Sequence, residues 1–238
     1  MKMKKSVENL YNIKKMKTRV NILTIAMAIF GLLTILLVFG SIYHCEMKVY
    51  KRTVVDGQEE VSIMVFDKYN ENYEYEADAN TKKITFSNMA FGLNIDEENL
   101  GFIPVEQDIR FLLLFLAQAI IYLFIFANFK VNNNLKFILK TIGAGLLLVL
   151  AIIMIIFFNN YGNEIEQICK QAIEQFRTTY PNLGITSTVD TSYPSRVEVG
   201  LSPLVGISTA FMIVSSGICL YTALLNKSIY KMECENAK

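Results

Sequence analysis

The stretch FFNNYGNEIEQICKQAIEQF, residues 157–176, begins as the end of a long apolar run and continues as a periodic one. Within it Ile165, Ile168, Cys169, Ala172, Ile173 and Phe176 recur at three- and four-residue spacing, with Glu and Gln between them. A period of 3.6 residues puts such positions on one stripe of a helix. No proline interrupts the passage from the continuous run to the periodic one. One helix is therefore expected to emerge from the apolar run and continue for about three more turns. Tyr180-Pro181 supplies the stop, since the residue before a proline disfavours the α region. Glu164, Glu166, Gln167, Lys170 and Gln171 are expected to face water, and the stripe needs a partner.

The rest of the chain explains where that helix comes from. Of 238 residues, 53% are hydrophobic, and the net charge is only +1. Four blocks contain no charged residue: Ile22–Tyr43, Phe111–Phe129, Thr141–Phe158 and Leu204–Leu225. Each approaches the ~20 residues an α-helix needs to cross the hydrocarbon core of a bilayer. Core helices of soluble proteins rarely lack charge over such lengths. The first block follows seven Lys and Arg residues but is too long for a secretory h-region, so it reads as an uncleaved signal anchor. Spans are expected at 20–43, 111–129, 137–158 and 204–225. The segments 1–19 (a basic N-terminus), 130–136 (a short turn) and 226–238 (a tail) fall on one side, and 44–110 and 159–203 on the other. Counting basic residues to Lys140, the first set holds 13 basic and 3 acidic residues and the second 10 and 19. The positive-inside rule then puts both termini in the cytoplasm, with the chain integral to the cell membrane.

The outer segments read as folded. In KVYKRTVVDGQEEVSIMVF, Asp56-Gly57 separates two β-rich runs, a hairpin signature. NYEYEA, KKITFSN and MAFGLNI follow as further short runs, which predicts an antiparallel meander of four or five strands. Val197 and Val199 lie in an alternating run that predicts a last strand in the same sheet. The helix stripe is the natural cover for the sheet's apolar face. The expected fold is a membrane four-helix bundle with an extracytoplasmic α+β cap, a small antiparallel sheet packed on the extended third helix.

This arrangement resembles the claudin and peripheral-myelin-protein superfamily. Those proteins combine four spans, cytoplasmic termini, a β-rich first outer loop and an elongated third helix. Many carry an arginine just before the second span, and Arg110 stands there in VEQDIRFLLLF. The resemblance implies a cap that contacts other proteins. The chain has no Trp, and Cys45 is the single cysteine of the first outer loop, so the claudin loop signature is absent and no residue role carries over.

No motif for catalysis, a cofactor or a metal stands out. His44 is the only histidine and falls at a membrane boundary. The acidic runs lack the ligand spacing of an EF-hand loop, and the basic N-terminus flanks a membrane span and points to lipid, with no nucleic-acid partner. Gln118, the polar residue of the second span, is expected to bond across helices. Gly143, Ala144 and Gly145, with Gly206, Ser208, Ala210, Ser215, Ser216 and Gly217, mark close helix contact. Cys45 and Cys169 share the outer side and form a candidate disulfide, although Cys169 also suits the stripe as a free thiol. The candidate partner contact is the acidic-aromatic run of Tyr69, Glu71, Tyr73, Glu74, Tyr75 and Glu76, since Tyr is enriched at interfaces. The function expected is non-enzymatic: a tetraspan whose cap binds a membrane or extracellular protein in adhesion, assembly or as an auxiliary subunit. The alternative is a small channel or transporter subunit acting as a homo-oligomer.

Overall fold

The quoted stretch lies inside one unbroken helix, Asn133–Thr179, of 47 residues. A computed structural model of the chain describes residues 2–37, 40–64, 81–91, 107–126 and 131–236. In chain order the elements are α1 (Lys2–Leu37), β1 (Ser41–Val55), β2 (Gln58–Met64), β3 (Thr81–Thr85), α2 (Phe86–Phe91), α3 (Ile109–Phe126), α4 (Asn133–Thr179), a 3-10 turn (Pro181–Leu183), β4 (Arg196–Leu201) and α5 (Pro203–Asn236). Helices α1, α3, α4 and α5 are long and apolar enough to cross a membrane. Their ends follow local chemistry. Asn132 Oδ1 accepts from the Leu135 N–H at 2.8 Å to cap α4, Asp108 Oδ1 accepts from the Arg110 N–H at 2.8 Å to cap α3, and Pro203 opens α5. Helix α4 stops at Thr179, as Tyr180-Pro181 predicts.

The chain divides into two units. The helical unit comprises Met1–Leu37, Leu113–Ile155 and Gly206–Lys238. Its interior holds Met27, Leu147, Ala151, Met212 and Cys219, while Ile22, Ile25, Ile120 and Leu123 are each at least 60% exposed on its outside. Small residues permit close approach: Ser216 Oγ donates to the Ala144 carbonyl at 2.7 Å, and a Cβ on Gly31 would lie 2.9 Å from the Tyr122 ring. Gly145, Gly206 and Gly217, by contrast, face open space. The Tyr122 hydroxyl donates to Ser215 Oγ at 3.4 Å, and Phe30 stacks on Phe211. The interhelical bond expected of Gln118 is not made among the described residues: it is 1% exposed, and neither amide atom has a partner there.

The sheet unit comprises Val38–Leu112 and Ile156–Val205. Strand β1 is its axis, pairing antiparallel with β2 through Val49–Val55, with β3 through Ser41–Glu46 and with β4 through Tyr43–Lys48. The Asp56-Gly57 hairpin forms, with both residues at positive φ (51° and 79°), and β4 joins the sheet. Two expectations change. Residues 41–43, read as the end of the first span, belong to β1. MAFGLNI does not open as a strand, because Phe86–Phe91 is helical. There the Asn88 N–H donates to Thr85 Oγ1 at 3.2 Å and Asn88 Oδ1 accepts from the Thr85 N–H at 2.7 Å, a reciprocal cap that brings the buried Phe86, Met89 and Ala90 onto one helical face. NYEYEA lies outside the described residues.

Candidate functional site

Within the sheet unit, alternate β1 residues Tyr43, Cys45, Met47 and Val49 are buried, as period-2 geometry requires of one sheet face. That face meets the second half of α4. The Tyr43 hydroxyl donates to the Phe158 carbonyl at 2.6 Å, and a Cβ on Gly162 would lie 3.2 Å from the Tyr43 ring. The buried helix residues are Ile165, Cys169 and Ile173. Ile168 is a correction to the expected stripe, being 44% exposed. At 100° per residue it sits roughly 100° from the line through Ile165, Cys169 and Ile173, too far to reach β1.

Cys45 and Cys169 are brought together by this packing. Both are fully buried, and each thiol lies close enough to influence the other's ionisation. Both remain thiols here. The expected pairing is thus one of position, with the covalent bond unformed.

Sequence reasoning missed the clamp that holds residues 180–195 against β1 and α4. The carbonyl oxygen of Gly184, a residue at φ 65°, accepts from the Arg52 N–H at 2.8 Å, and a Cβ at that position would run into the Arg52 carbonyl oxygen. Arg52 Nη2 reaches both Asp190 oxygens at 2.9 Å. Asp190 also accepts from the backbone of Ser192 and Tyr193, and these bonds hold its carboxyl below the usual carboxylate range. Glu174 on α4 accepts from Ser187 Oγ and from the Thr188 N–H and hydroxyl. Burial works against its ionisation, but these bonds and Arg177 outweigh burial and bring its pKa to about 2. The available signal was the run of Ser, Thr and Asp in STVDTS, residue types that hydrogen-bond to nearby backbone.

A second cluster surrounds Arg110. Its guanidinium pairs with Asp108 at 2.6 Å and with Glu164 at 3.2 Å, and lies 5.5 and 5.2 Å from the ring centroids of Phe157 and Tyr161. Those rings join Phe111 and Phe158 in one aromatic group. The cluster orders the start of α3 against α4 inside the sheet unit.

The proposed contact run of Tyr69, Glu71, Tyr73, Glu74, Tyr75 and Glu76 lies outside the described residues. It follows β2 in the chain, and the hairpin it follows is well defined. Beyond Thr53 no described residue covers either face of that hairpin: Val54 is 71% and Val55 48% exposed, and their partners Glu59 and Gln58 are exposed as well. His44 is half-buried on β1, and no group of three or more His, Cys, Asp or Glu side chains among the described residues could hold a metal. No family model matches the chain, and no match to it was found among curated proteins or solved structures.

Proposed function

We propose that the chain is a non-enzymatic integral membrane protein, claudin-like in topology, whose sheet unit contacts another protein as an adhesion, assembly or auxiliary subunit. The observation that carries this reading is the β1–β2 arm. A two-stranded ribbon is marginal by itself in water, yet here the last three residue pairs, from Thr53 with Glu60 to Val55 with Gln58, project from a strand whose root is buried. Exposed Val54 and Val55 at its tip, with exposed Glu59 and Glu60 on β2, offer an apolar and acidic surface to a partner, and the Tyr- and Glu-rich run 69–76 follows in sequence. The 47-residue α4 supports the topology: at 1.5 Å per residue it is about 70 Å long, more than twice the ~30 Å core. Only its apolar part, near 137–158, is needed to span, which leaves Glu164–Thr179 to carry the sheet unit outside. The charge asymmetry supports cytoplasmic termini in the cell membrane.

A photo-crosslinking residue at Val54 in native membranes, read by mass spectrometry, tests the contact. Val54→Asp with Val55→Asp, and separately Tyr73→Ser with Tyr75→Ser, should abolish the crosslinked partner while expression persists. An unchanged partner profile in both variants overturns the reading. For orientation, Val189→Cys, at an 83% exposed site, should react with an impermeant thiol reagent in intact cells, and Cys234 should not. The buried Cys45 cannot serve as that reporter. The unpartnered Gln118 amide and Ser208 hydroxyl favour the second reading, an oligomeric channel or transporter subunit. Ion-selective currents in planar bilayers that change with Gln118 would establish it in place of the first.

A further inference from the structure

Between α1, α3, α4 and α5, all within the helical unit, lies a cavity of about 210 Å3. Its wall carries five polar side chains, Asn21, Thr24, Lys136, Lys140 and Asn226; the remainder is apolar, and no carboxylate lines it. Asn226 is 3% exposed, and its Nδ2 donor has no acceptor among the described residues. Buried donors are almost always satisfied, so an acceptor is missing from this place. Lys140 Nζ donates to Thr24 Oγ1 at 3.3 Å, which uses one of three ammonium hydrogens. Half-buried Lys136 lines this cavity and an adjoining hollow that shares Asn21 and Asn226. The carboxylate of that hollow, Glu233, is engaged by Lys17 at 2.9 Å and by Asn133 at 2.7 Å; it also attracts Lys136, but it does not line the cavity itself.

We propose that this cavity is an oxyanion site for a phosphate group, presented by an anionic lipid headgroup or as free phosphate. Two ammonium groups and a buried amide N–H without an acceptor line one cavity that has no carboxylate among the described residues, and the volume is several times the ~30 Å3 that one water occupies. A basic pocket between membrane helices is also the place where lipid phosphates are met. This inference stands apart from the adaptor reading and rests on the helical unit alone.

The full-length protein provides the test, in two arms. Native mass spectrometry from nanodiscs of phosphatidylcholine mixed with phosphatidylglycerol reads retention of the anionic lipid. Titration with inorganic phosphate in uncharged detergent, read by thermal shift, reports on the free anion. Lys136→Gln and Asn226→Leu should each weaken binding by roughly tenfold, the loss of one charge-assisted or buried donor. Lys136→Arg should retain most of it, and Lys231→Gln, at an exposed residue outside the cavity, should have no effect. Phosphatidylglycerol retention with this pattern assigns a lipid ligand, and a thermal shift with this pattern assigns a soluble one. If Asn226→Leu does not fold, the comparison of Lys136→Gln with Lys231→Gln decides alone. Wild-type protein that responds to neither anion overturns the proposal, as does binding that Lys136→Gln and Lys231→Gln reduce equally.

Discussion

In the sheet unit Tyr43, Thr186 and Ser195 are buried, and each hydroxyl donates to a backbone carbonyl, those of Phe158, Tyr193 and Thr186 respectively. In the helical unit Gln118, Ser208 and Asn226 are buried, and each has a side-chain polar atom that meets no partner among the described residues. Their outer surfaces also differ. Helix α4 turns Glu164, Gln167 and Gln171 outward in the sheet unit, whereas α1 and α3 turn Ile25 and Leu123 outward in the helical one. Water drives apolar groups inward and competes for every polar group, so a water-facing unit must settle its polar accounts within the fold. Lipid supplies no such drive, and close packing of small residues with a few polar contacts takes its place. On the proposed reading the two units were shaped by two solvents.

The sharpest way to break this contrast is to charge the sheet unit's core. Ile173→Asp places an unpaired carboxylate at a site 3% exposed and should destabilise the unit by about 3–5 kcal/mol. Ile168→Asp, one turn away but 44% exposed, should change stability by less than about 0.5 kcal/mol. Limited proteolysis and thermal unfolding in detergent measure both. Equal sensitivity at the two positions would mean that the α4 stripe packs on nothing.

Next in size is Gly184→Ala, which meets both a positive φ and the Arg52 carbonyl. A loss above about 2 kcal/mol is expected, read by the same unfolding assay. A silent substitution would show that the 180–195 clamp does not hold β1.

Much of this fold was legible in the sequence, and the failures have physical causes. The four apolar blocks, the Asp56-Gly57 turn and the Tyr180-Pro181 stop are local signals; each block yields a long helix, the first cut short where β1 begins, and the turn and the stop form as read. Ile168 was misplaced because a spacing of three or four allows a stripe wider than one strand can cover. Phe86–Phe91 was misread because a short helix of six residues carries too little periodicity to compete with its β-rich neighbours. The Arg52–Asp190 pair joins residues 138 apart, and no local pattern announces such a contact. Cys45 and Cys169 were legible as a pair only by compartment, and their adjacency depends on the register of β1 against α4.

Acid sharpens the clamp's role. Glu174 has a folded pKa of about 2 against an ordinary 4.5, so its contribution is fully present above 4.5 and is lost as the pH falls toward 2. Glu174→Gln should flatten the stability profile within that window and leave it unchanged near neutrality in shape, if lower in height. A profile that keeps its slope would remove Glu174 from the clamp.

Cys169→Ala is expected to cost about 1 kcal/mol, the loss of a small buried group and one thiol contact. A disulfide across this pair would close a loop long enough to contribute about 4–5 kcal/mol. Its formation would require a disulfide donor, which takes up two electrons and two protons and leaves as two thiols. Stability of the wild type measured with and without reductant separates the two states. A large loss on reduction, absent in Cys169→Ala, would establish the bond.

The smallest expected effect falls in the helical unit and bears on what the chain does. Gln118→Leu replaces a buried amide that has no partner with an apolar side chain of similar size. Removing an unsatisfied polar group from a core is neutral or stabilising, here by up to about 1 kcal/mol. In the sheet unit the corresponding substitution, Thr186→Val, removes a hydroxyl that donates to the Tyr193 carbonyl at 2.6 Å and should destabilise by a similar amount. Opposite signs at two buried polar residues would carry the contrast between the units down to single side chains. A destabilising Gln118→Leu would mean that the amide has an acceptor and a donor in the membrane, from water or a second copy of the chain. Native mass then distinguishes those sources. A closed ring that Gln118→Leu dissociates favours the channel subunit, whereas a monomer of unchanged mass leaves the sheet unit as the part that works on a partner.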